Sequence, residues 1–190
     1  MVLTKKSKAI LKKEKMNLTK GGNMKFKSYL YGAYGSNLNL GQMSLRCPKA
    51  EPVGSLMLHG WELKFRGVAD IEEVEGGTVP IGLWRITQAC ESALDVYEGY
   101  PHLYTKKICT VKGMKEELGT DSVMLYMMQR SEVHPPSMPY LDCIMQGYED
   151  FGLDVDYLRF AIKDAYAKEE ATITPKPKQK RLPFKLVSKK

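Results

Sequence analysis

Two short stretches of the sequence bring together residue types that could do chemistry. The first runs from Tyr29 to Leu38 and reads YLYGAYGSNL, so aromatic and aliphatic residues give way to Gly, Ser and Asn. This pattern predicts a buried strand that enters a tight loop. Such a loop can point main-chain N–H groups into one concavity, where they bind an anion or a polarised carbonyl, and Gly35 lets a ligand approach the backbone. A plain turn would show the same pattern, since neither the Walker lysine nor the GxGxxG spacing of dinucleotide sites is present.

The second stretch runs from Asp95 to Tyr104 and reads DVYEGYPHLY. It sets the carboxylate of Glu98 beside a glycine and close in sequence to three tyrosines, which are Tyr97, Tyr100 and Tyr104. Burial among these rings would raise the pKa of Glu98 towards neutrality by desolvation, which suits a general base. The alternative is a surface glutamate at the end of a helix.

Together the two stretches resemble the gamma-glutamylcyclotransferase family, whose markers are a strand ending in YGSNL and a later Glu-Gly step followed by Tyr. A third segment, Pro136 to Tyr140 (PSMPY) followed by Ile144, Gly147, Gly152-Leu153 and Tyr157, is similar to the C-terminal helical region of enzymes that act on gamma-glutamyl amino acids. The resemblance covers about residues 28 to 168, with its three motifs in the right order.

The resemblance implies an activity and a set of site residues. In the family reaction the α-amine of a gamma-glutamyl compound attacks its own γ-carbonyl, which gives 5-oxoproline and a free amine without a metal, a cofactor or a protein nucleophile. Glu98 matches the catalytic glutamate as general base. The substrate-binding positions are matched by the loop residues Tyr34, Gly35, Ser36, Asn37 and Leu38 and by the pocket residues Tyr104, Tyr126 and Tyr140, whereas Tyr97 and Tyr148 have no such support.

The leaving amine stays open, because the motifs resemble two branches of the family. The step from Glu98 to Pro101 followed by Tyr104 resembles the group that includes gamma-glutamylamine cyclotransferases. The Pro-Ser-x-x-Tyr segment resembles instead the enzymes that take gamma-glutamyl amino acids. We do not expect the glutathione-specific branch, whose characteristic sequence around the acid is not found.

Other chemistries find little support in the sequence. The four cysteines are widely spaced and form no CxxC pair, so we expect reduced thiols of a cytoplasmic protein and neither a zinc site nor disulfides. None of the three histidines accompanies a GxSxG nucleophile motif. Arg46, in an Arg-x-Pro step similar to one in the family, is expected to bond main-chain carbonyls and close the loop.

Composition and charge divide the chain into a body and two basic ends. With 190 residues, 43% hydrophobic and 27% charged, the sequence has the size and composition of one ordinary globular domain. Its net charge is +7, yet residues 1–27 hold nine Lys and one Glu, and residues 175–190 hold seven Lys or Arg and no acid. The body between them is therefore acidic.

We expect three parts: a disordered basic extension (1–27), a single gamma-glutamylcyclotransferase-like domain (28–170) and a disordered Pro- and Lys-rich tail (171–190). The codons for Lys20-Gly21-Gly22 can form a ribosome-binding sequence just upstream of Met24. Our hypothesis is therefore that translation starts at Met24 and not Met1. No apolar run approaches the roughly 18 residues of a membrane span, so no membrane partner is expected.

The hydrophobic patterns predict an α+β fold. After β-structure up to Ala33 we expect a helix over Leu40–Leu45, strands within Val53–Phe65, a hairpin tip at Glu72–Gly77 and a strand over Val79–Ile86. A helix capped by Thr87 follows, with Cys90, Leu94 and Tyr97 on one face, then strands over Tyr104–Val111 and Val123–Met128 and helices over Pro139–Phe151 and after Asp154. The resemblance adds a small, mixed, barrel-like sheet with two to four helices packed outside it.

Two other functions remain open. One is a binding module for gamma-glutamyl-like small molecules that has lost turnover, against which an intact Glu98 argues. The other is a nucleic-acid-associated protein acting through its basic tails, against which the acidic body argues. The expected partner is a small gamma-glutamyl substrate, and the protein is expected to be a monomer or a homodimer.

Overall fold

A mixed five-stranded sheet forms the centre of the computed structural model, which describes residues 28–129 and 132–173. Its strands are β1 (Ser28–Ala33), β2 (Glu51–Phe65), β3 (Ala69–Thr87), β4 (Tyr104–Thr110) and β5 (Ser122–Met128). Their order across the sheet is β2-β3-β1-β5-β4. β1 runs parallel to β5, and the other neighbouring pairs are antiparallel. The strand that leads into the glycine-rich loop therefore lies in the middle of the sheet.

Five α-helices accompany the sheet in the described part of the chain. They are α1 (Leu40–Arg46), α2 (Gln88–Glu98), α3 (Lys115–Leu118), α4 (Met138–Phe151) and α5 (Val155–Ile173), and a 3₁₀ turn (Ser36–Leu38) follows β1. As predicted, Thr87 caps α2 by accepting the Cys90 N–H and α4 ends at Phe151, after which Gly152 adopts the left-handed region at φ 62°. The short α3 was not predicted, and α5 continues past the expected domain boundary at residue 170.

The α+β class is confirmed, but the sheet is not a closed barrel. The edge strands β2 and β4 are not paired with each other in the described residues. Beyond the end of β1, however, β3 approaches β5, where the Met128 N–H donates to Asp70 Oδ1 over 3.0 Å. The Lys107 ammonium on β4 also pairs with the Glu73 carboxylate on β3. The sheet therefore curls until separated strands meet, but these contacts join β3 to β5 and β4 and do not close the sheet between β2 and β4.

The predicted hairpin tip at residues 72–77 is wrong. The β2–β3 hairpin turns at Gly67, with φ 78°, and residues 72–77 lie inside β3. Pairing skips from His59–Thr78 to Trp61–Glu73, so the acidic, glycine-rich segment forms an enlarged bulge opposite Gly60. A bulge bends its strand. Gly82 pairs with Ala33 at the end of β1. If β3 did not bend, the extended chain from Gly82 to Asp70 would place Asp70 about 40 Å from that end. Asp70 instead contacts Met128, so the strand bends.

The core lies between this curled sheet and the helices. β5 is buried on both faces, with both Leu125 and Tyr126 at most 2% exposed. On α5, the buried residues are Leu158, Ala161 and Ala165. No helix among the described residues is both long and apolar enough to cross a membrane.

Candidate active site

A cavity of about 480 Å³ opens where β1, the 3₁₀ turn, the end of α2 and the hairpin tip meet. We call it the Glu98 cavity. Segments that are distant in sequence form its walls. Its lining consists of Tyr31, Tyr34, Gly35, Ser36, Asn37, Val68, Ala69, Tyr97, Glu98, His102, Leu103, Tyr104, Tyr126, Met128, Gln129 and Tyr140.

Glu98 ends α2 and continues its buried face. Cys90, Leu94 and Glu98 are the buried residues of this helix, spaced four apart, whereas Tyr97 is 48% exposed. The turn after Glu98 is made by Gly99 in the left-handed region at φ 63°, whose N–H bonds back to Val96. Helical geometry thus turns the one carboxylate of this face inward.

The environment of Glu98 suits proton transfer near neutral pH. Burial raises the pKa of its carboxyl from 4.5 to about 7, because desolvation disfavours the charged form. A hydrogen bond from Asn37 and the charge of Arg46 oppose this effect on the pKa. The expected rise is present, but Tyr100, one of the rings invoked for it, does not line the cavity; its ring lies 4.6 Å from the Lys106 ammonium.

Asn37 joins the 3₁₀ turn to Glu98. Its Nδ2 donates to Glu98 Oε1 over 2.8 Å and to the Tyr31 hydroxyl over 2.8 Å. Its main-chain carbonyl accepts the Trp84 indole N–H over 3.0 Å. The Asn37 side chain thus holds the carboxylate, and its backbone is fixed from the other side by β3.

The turn also has a tight contact with the hairpin tip and α4. A Cβ on Gly35 would lie 3.1 Å from the Tyr140 hydroxyl and 3.2 Å from Ala69 Cβ. The Tyr140 hydroxyl accepts the Ala69 N–H over 2.9 Å. Glycine is therefore needed at position 35 for the two walls to approach this closely.

The tyrosine hydroxyls of the cavity fall into two groups. Tyr34 donates to the Tyr126 carbonyl, and Tyr126 donates to Asp95 Oδ1, so protein groups occupy both hydroxyls. The Tyr104 hydroxyl makes no hydrogen bond with the described residues and is not sealed from solvent. Burial raises the pKa of Tyr104, with the Glu98 charge as a second cause, so this hydroxyl stays protonated and can donate.

The chain is similar in sequence to mammalian gamma-glutamylcyclotransferases. A gamma-glutamylcyclotransferase of Bos taurus is 31% identical over 144 residues, which cover 68% of this chain and 75% of the bovine protein. The chain belongs to the gamma-glutamylcyclotransferase family. The gamma-glutamylcyclotransferase of Homo sapiens is 29% identical over 143 residues, with the same coverage. The profile of the AIG2-like family matches residues 78–160.

Solved structures agree with this membership at the level of the fold. A gamma-glutamyl cyclotransferase superposes with a TM-score of 0.60 at 23% identity, covering 82% of this chain and 93% of that one. An uncharacterised Homo sapiens protein superposes with a TM-score of 0.60 at 26% identity, covering 80% and 94%. The family and the fold inferred from sequence are confirmed.

Most residues marked by the family motifs lie around one cavity. The lining residues among them are Glu98, Tyr34, Gly35, Ser36, Asn37, Tyr104, Tyr126 and Tyr140. Leu38 does not join them, because its side chain is fully buried in the core, beside Gly82 and Gly147. Its N–H is used by the Gly35 carbonyl over 2.9 Å. Leu38 therefore packs the turn and does not contribute to the cavity.

The sequence did not mark every residue that matters for this geometry. Arg46 bonds no main-chain carbonyl of the loop, contrary to expectation; its Nη1 lies 2.6 Å from Asn37 Oδ1. Tyr97 and Tyr31 line the cavity, while Tyr148 is buried in the core. The four-residue spacing from Leu94 to Glu98 was the available signal that the glutamate continues the buried face. No local pattern in the sequence marked Val68 and Ala69 as cavity residues, because the bulge in β3 brings them to the cavity.

In residues 28–129 and 132–173, no three His, Cys, Asp or Glu side chains lie close enough together to bind one ion.

Proposed function

We propose that this protein is a gamma-glutamylcyclotransferase that converts a gamma-glutamyl amino acid or amine into 5-oxoproline and a free amine. One observation carries the proposal: a buried carboxyl with a pKa of about 7, Glu98, shares a cavity with the Gly35–Asn37 turn. Family membership supports the same reaction class. We assign Glu98 the role of general base.

In this proposal the proton transfers run through Glu98. Its carboxylate takes a proton from the substrate α-ammonium, and the freed amine attacks the γ-carbonyl carbon. The new C–N bond closes the five-membered ring and leaves an oxyanion on the former carbonyl oxygen. When the oxyanion collapses, the original amide C–N bond breaks, and the second proton of the ring nitrogen passes to the departing nitrogen. Glu98 returns its proton at this step, since its pKa near neutrality allows transfer in both directions.

The turn supplies groups for the negative charges of the substrate. No described residue accepts the main-chain N–H of Gly35 or Asn37, so these donors remain available to an oxyanion or a carboxylate. The unpaired Tyr104 hydroxyl is a third donor. Binding the glutamyl chain in its folded form makes the attack intramolecular, for which effective molarities reach about 10⁵ M or more.

A panel of substrates identifies the amine that is released. Purified protein is incubated with a panel of gamma-glutamyl amino acids and gamma-glutamyl amines, and 5-oxoproline is measured, with and without a chelator. We expect product from at least one of them and no effect of the chelator. Glu98→Gln is the matched control, with an expected loss in kcat of about 10² to 10⁴.

The second candidate is a catalytically silent binding module. It is favoured only by the intramolecular hydrogen bonds that occupy the hydroxyls of Tyr34 and Tyr126. Binding of a gamma-glutamyl compound without any 5-oxoproline would support that candidate and overturn ours. We further propose that the protein is a cytoplasmic enzyme with one domain over residues 28–173. Free Cys47, Cys90, Cys109 and Cys143 are in keeping with a reducing compartment.

A further inference from the structure

Arg46 is held from three directions beside the Glu98 cavity without lining it. Its guanidinium carbon lies 3.8 Å from the centroid of the Tyr97 ring, and Nη2 donates to Gln42 Oε1 over 2.8 Å. Nη1 donates to Asn37 Oδ1 over 2.6 Å and makes a longer contact of 3.3 Å with Ser36 Oγ. Because a guanidinium stacked on a ring and bonded at both ends keeps a fixed plane, the atom it presents to Asn37 has a fixed position.

This contact determines which way the Asn37 amide points. A guanidinium only donates hydrogen bonds, so the amide atom that faces it must be the acceptor, Oδ1. The amide nitrogen must then face the opposite way, where it meets the Glu98 carboxylate and the Tyr31 hydroxyl. A flipped amide would set Nδ2 against the cation and Oδ1 against the carboxylate, which is repulsive at both ends.

The oriented amide distinguishes the two oxygens of Glu98. Oε1 is held by Asn37 Nδ2 at 2.8 Å. Oε2 has no hydrogen bond with the described residues and is not sealed from solvent. One oxygen is therefore an anchor, and the other is available in the cavity to take a proton.

We propose that Arg46 is a positioning residue: its guanidinium fixes the Asn37 amide, and that amide holds Oε1 of Glu98 so that Oε2 faces the bound substrate. The inference deepens the proposed function, and the catalytic role of Arg46 rests on that function. It assigns Arg46 a task that a loop-closing arginine would not have, because Arg46 acts on the reacting carboxylate through one intervening side chain.

Electrostatics give this arrangement a measurable consequence. Desolvation raises the pKa of Glu98, and Asn37 and Arg46 lower it. The other titratable groups of the cavity wall are tyrosines and one histidine, namely Tyr31, Tyr34, Tyr97, Tyr104, Tyr126, Tyr140 and His102. Loss of Arg46 removes a cation and frees the amide, so both changes raise the pKa of Glu98 further.

Arg46→Ala is the main test. We expect kcat to fall about ten- to hundred-fold, as for other misplaced catalytic groups, with little change in KM. The acidic limb of the pH–kcat profile should move to higher pH. Arg46→Lys keeps a charge but not the fork or the stacking, so its kcat should lie between those of the wild type and Arg46→Ala. Asn37→Ala combined with Arg46→Ala should cost little more than either change alone, since both act through one contact.

Arg85→Ala is the matched control, because Arg85 is a half-buried arginine that bonds the Leu118 carbonyl outside the cavity. Loss of an ordinary structural arginine should lower the melting temperature and leave the pH profile of the remaining activity in place. If Arg46→Ala behaves in this way as well, the inference is overturned.

A second readout separates this inference from the proposed function. The carboxyl carbon of Glu98 is followed by NMR during a pH titration of protein labelled with ¹³C at glutamate Cδ, and Glu98→Gln assigns the signal. We expect the midpoint to rise in Arg46→Ala and to stay unchanged in Arg85→Ala, whether or not any substrate is turned over. Wild-type protein that makes no 5-oxoproline overturns the proposed function, while an unchanged midpoint in Arg46→Ala overturns the positioning role.

Discussion

Nδ2 of Asn37 lies 2.8 Å from Oε1 of Glu98, which joins residues 61 positions apart in the sequence. Asn37 belongs to the 3₁₀ turn after the central strand, and Glu98 ends the helix that follows β3. The two segments carry the motifs by which the family is recognised. Their hydrogen bond makes the protonation of one depend on the orientation of the other.

The pH dependence of the wild type follows from the raised pKa of Glu98. The carboxylate is the base, and it forms only as the pH rises through about 7. We therefore expect kcat to be low at pH 5, half-maximal near neutrality and level above it, until another group titrates. A kcat that is already maximal at pH 5 would show that Glu98 is not the base.

Asn37→Asp should shift this profile. The substitution sets a second carboxylate against Oε1 of Glu98, and like charges raise the pKa of the acid that remains protonated. We expect kcat near neutral pH to fall and to recover in part at higher pH. Asn39→Asp is the control, since Asn39 caps α1 through an oxygen that Asp also provides. Equal profiles for the two variants would contradict the prediction.

Glu98→Gln should stabilise the protein above neutral pH. The pKa of a glutamate carboxyl in water is 4.5, and that of Glu98 in the fold is about 7, so the folded state binds this proton more tightly than the unfolded state. The wild type therefore loses stability as the pH rises from about 4.5 to 7, by up to about 3 kcal/mol. Gln does not titrate, and its carbonyl can still accept the Asn37 N–H.

Urea unfolding at pH 4 and at pH 8 tests the Glu98→Gln prediction. The gain in the free energy of unfolding over the wild type should be small at the lower pH and larger at the higher. The same gain at both pH values would mean that burial does not perturb this carboxyl.

Gly147→Ala should destabilise the packing of α4 on the 3₁₀ turn. The added Cβ would lie 2.5 Å from Leu38 Cβ and 2.8 Å from the Asn39 main-chain nitrogen. A change of side-chain rotamer cannot relieve these contacts, because neither atom moves with one. We expect a loss of about 1–3 kcal/mol in the free energy of unfolding, despite the better helix propensity of Ala. Met145→Ala, on the exposed side of the same helix, should change it much less. Thermal or urea unfolding that ranks the two variants in the opposite order would contradict the packing described.

Removal of residues 174–190 tests the domain proposal. These residues lie outside the described part of the chain, as does the basic extension with Met1 and Met24. Their Pro- and Lys-rich composition predicts little apolar burial, so the melting temperature and 5-oxoproline release should hardly change. A cut after residue 160 removes the buried Ala161 and Ala165 and should unfold the protein. A large fall for the shorter deletion would show that Leu182, Phe184 or Leu186 packs on the domain.

The sequence by itself determined the family, the α+β class and those elements whose signals are local. Thr87 and Gly152 mark the ends of helices because capping depends on groups within four residues. The YGSNL strand and turn were recognisable for the same reason. Eight of the nine predicted site residues line one cavity, since motif positions carry over without knowledge of the packing.

Only the tertiary structure decided what depends on distant segments. The acidic glycine-rich stretch at residues 72–77 resembles a turn locally, but pairing with β2 makes it a bulge, which bends the hairpin until Val68 and Ala69 reach the cavity. The pKa of Glu98 and the task of Arg46 likewise depend on contacts with other elements. Burial and hydrogen-bond partners are set by the packing of the whole chain, so residue type and spacing alone do not reveal them.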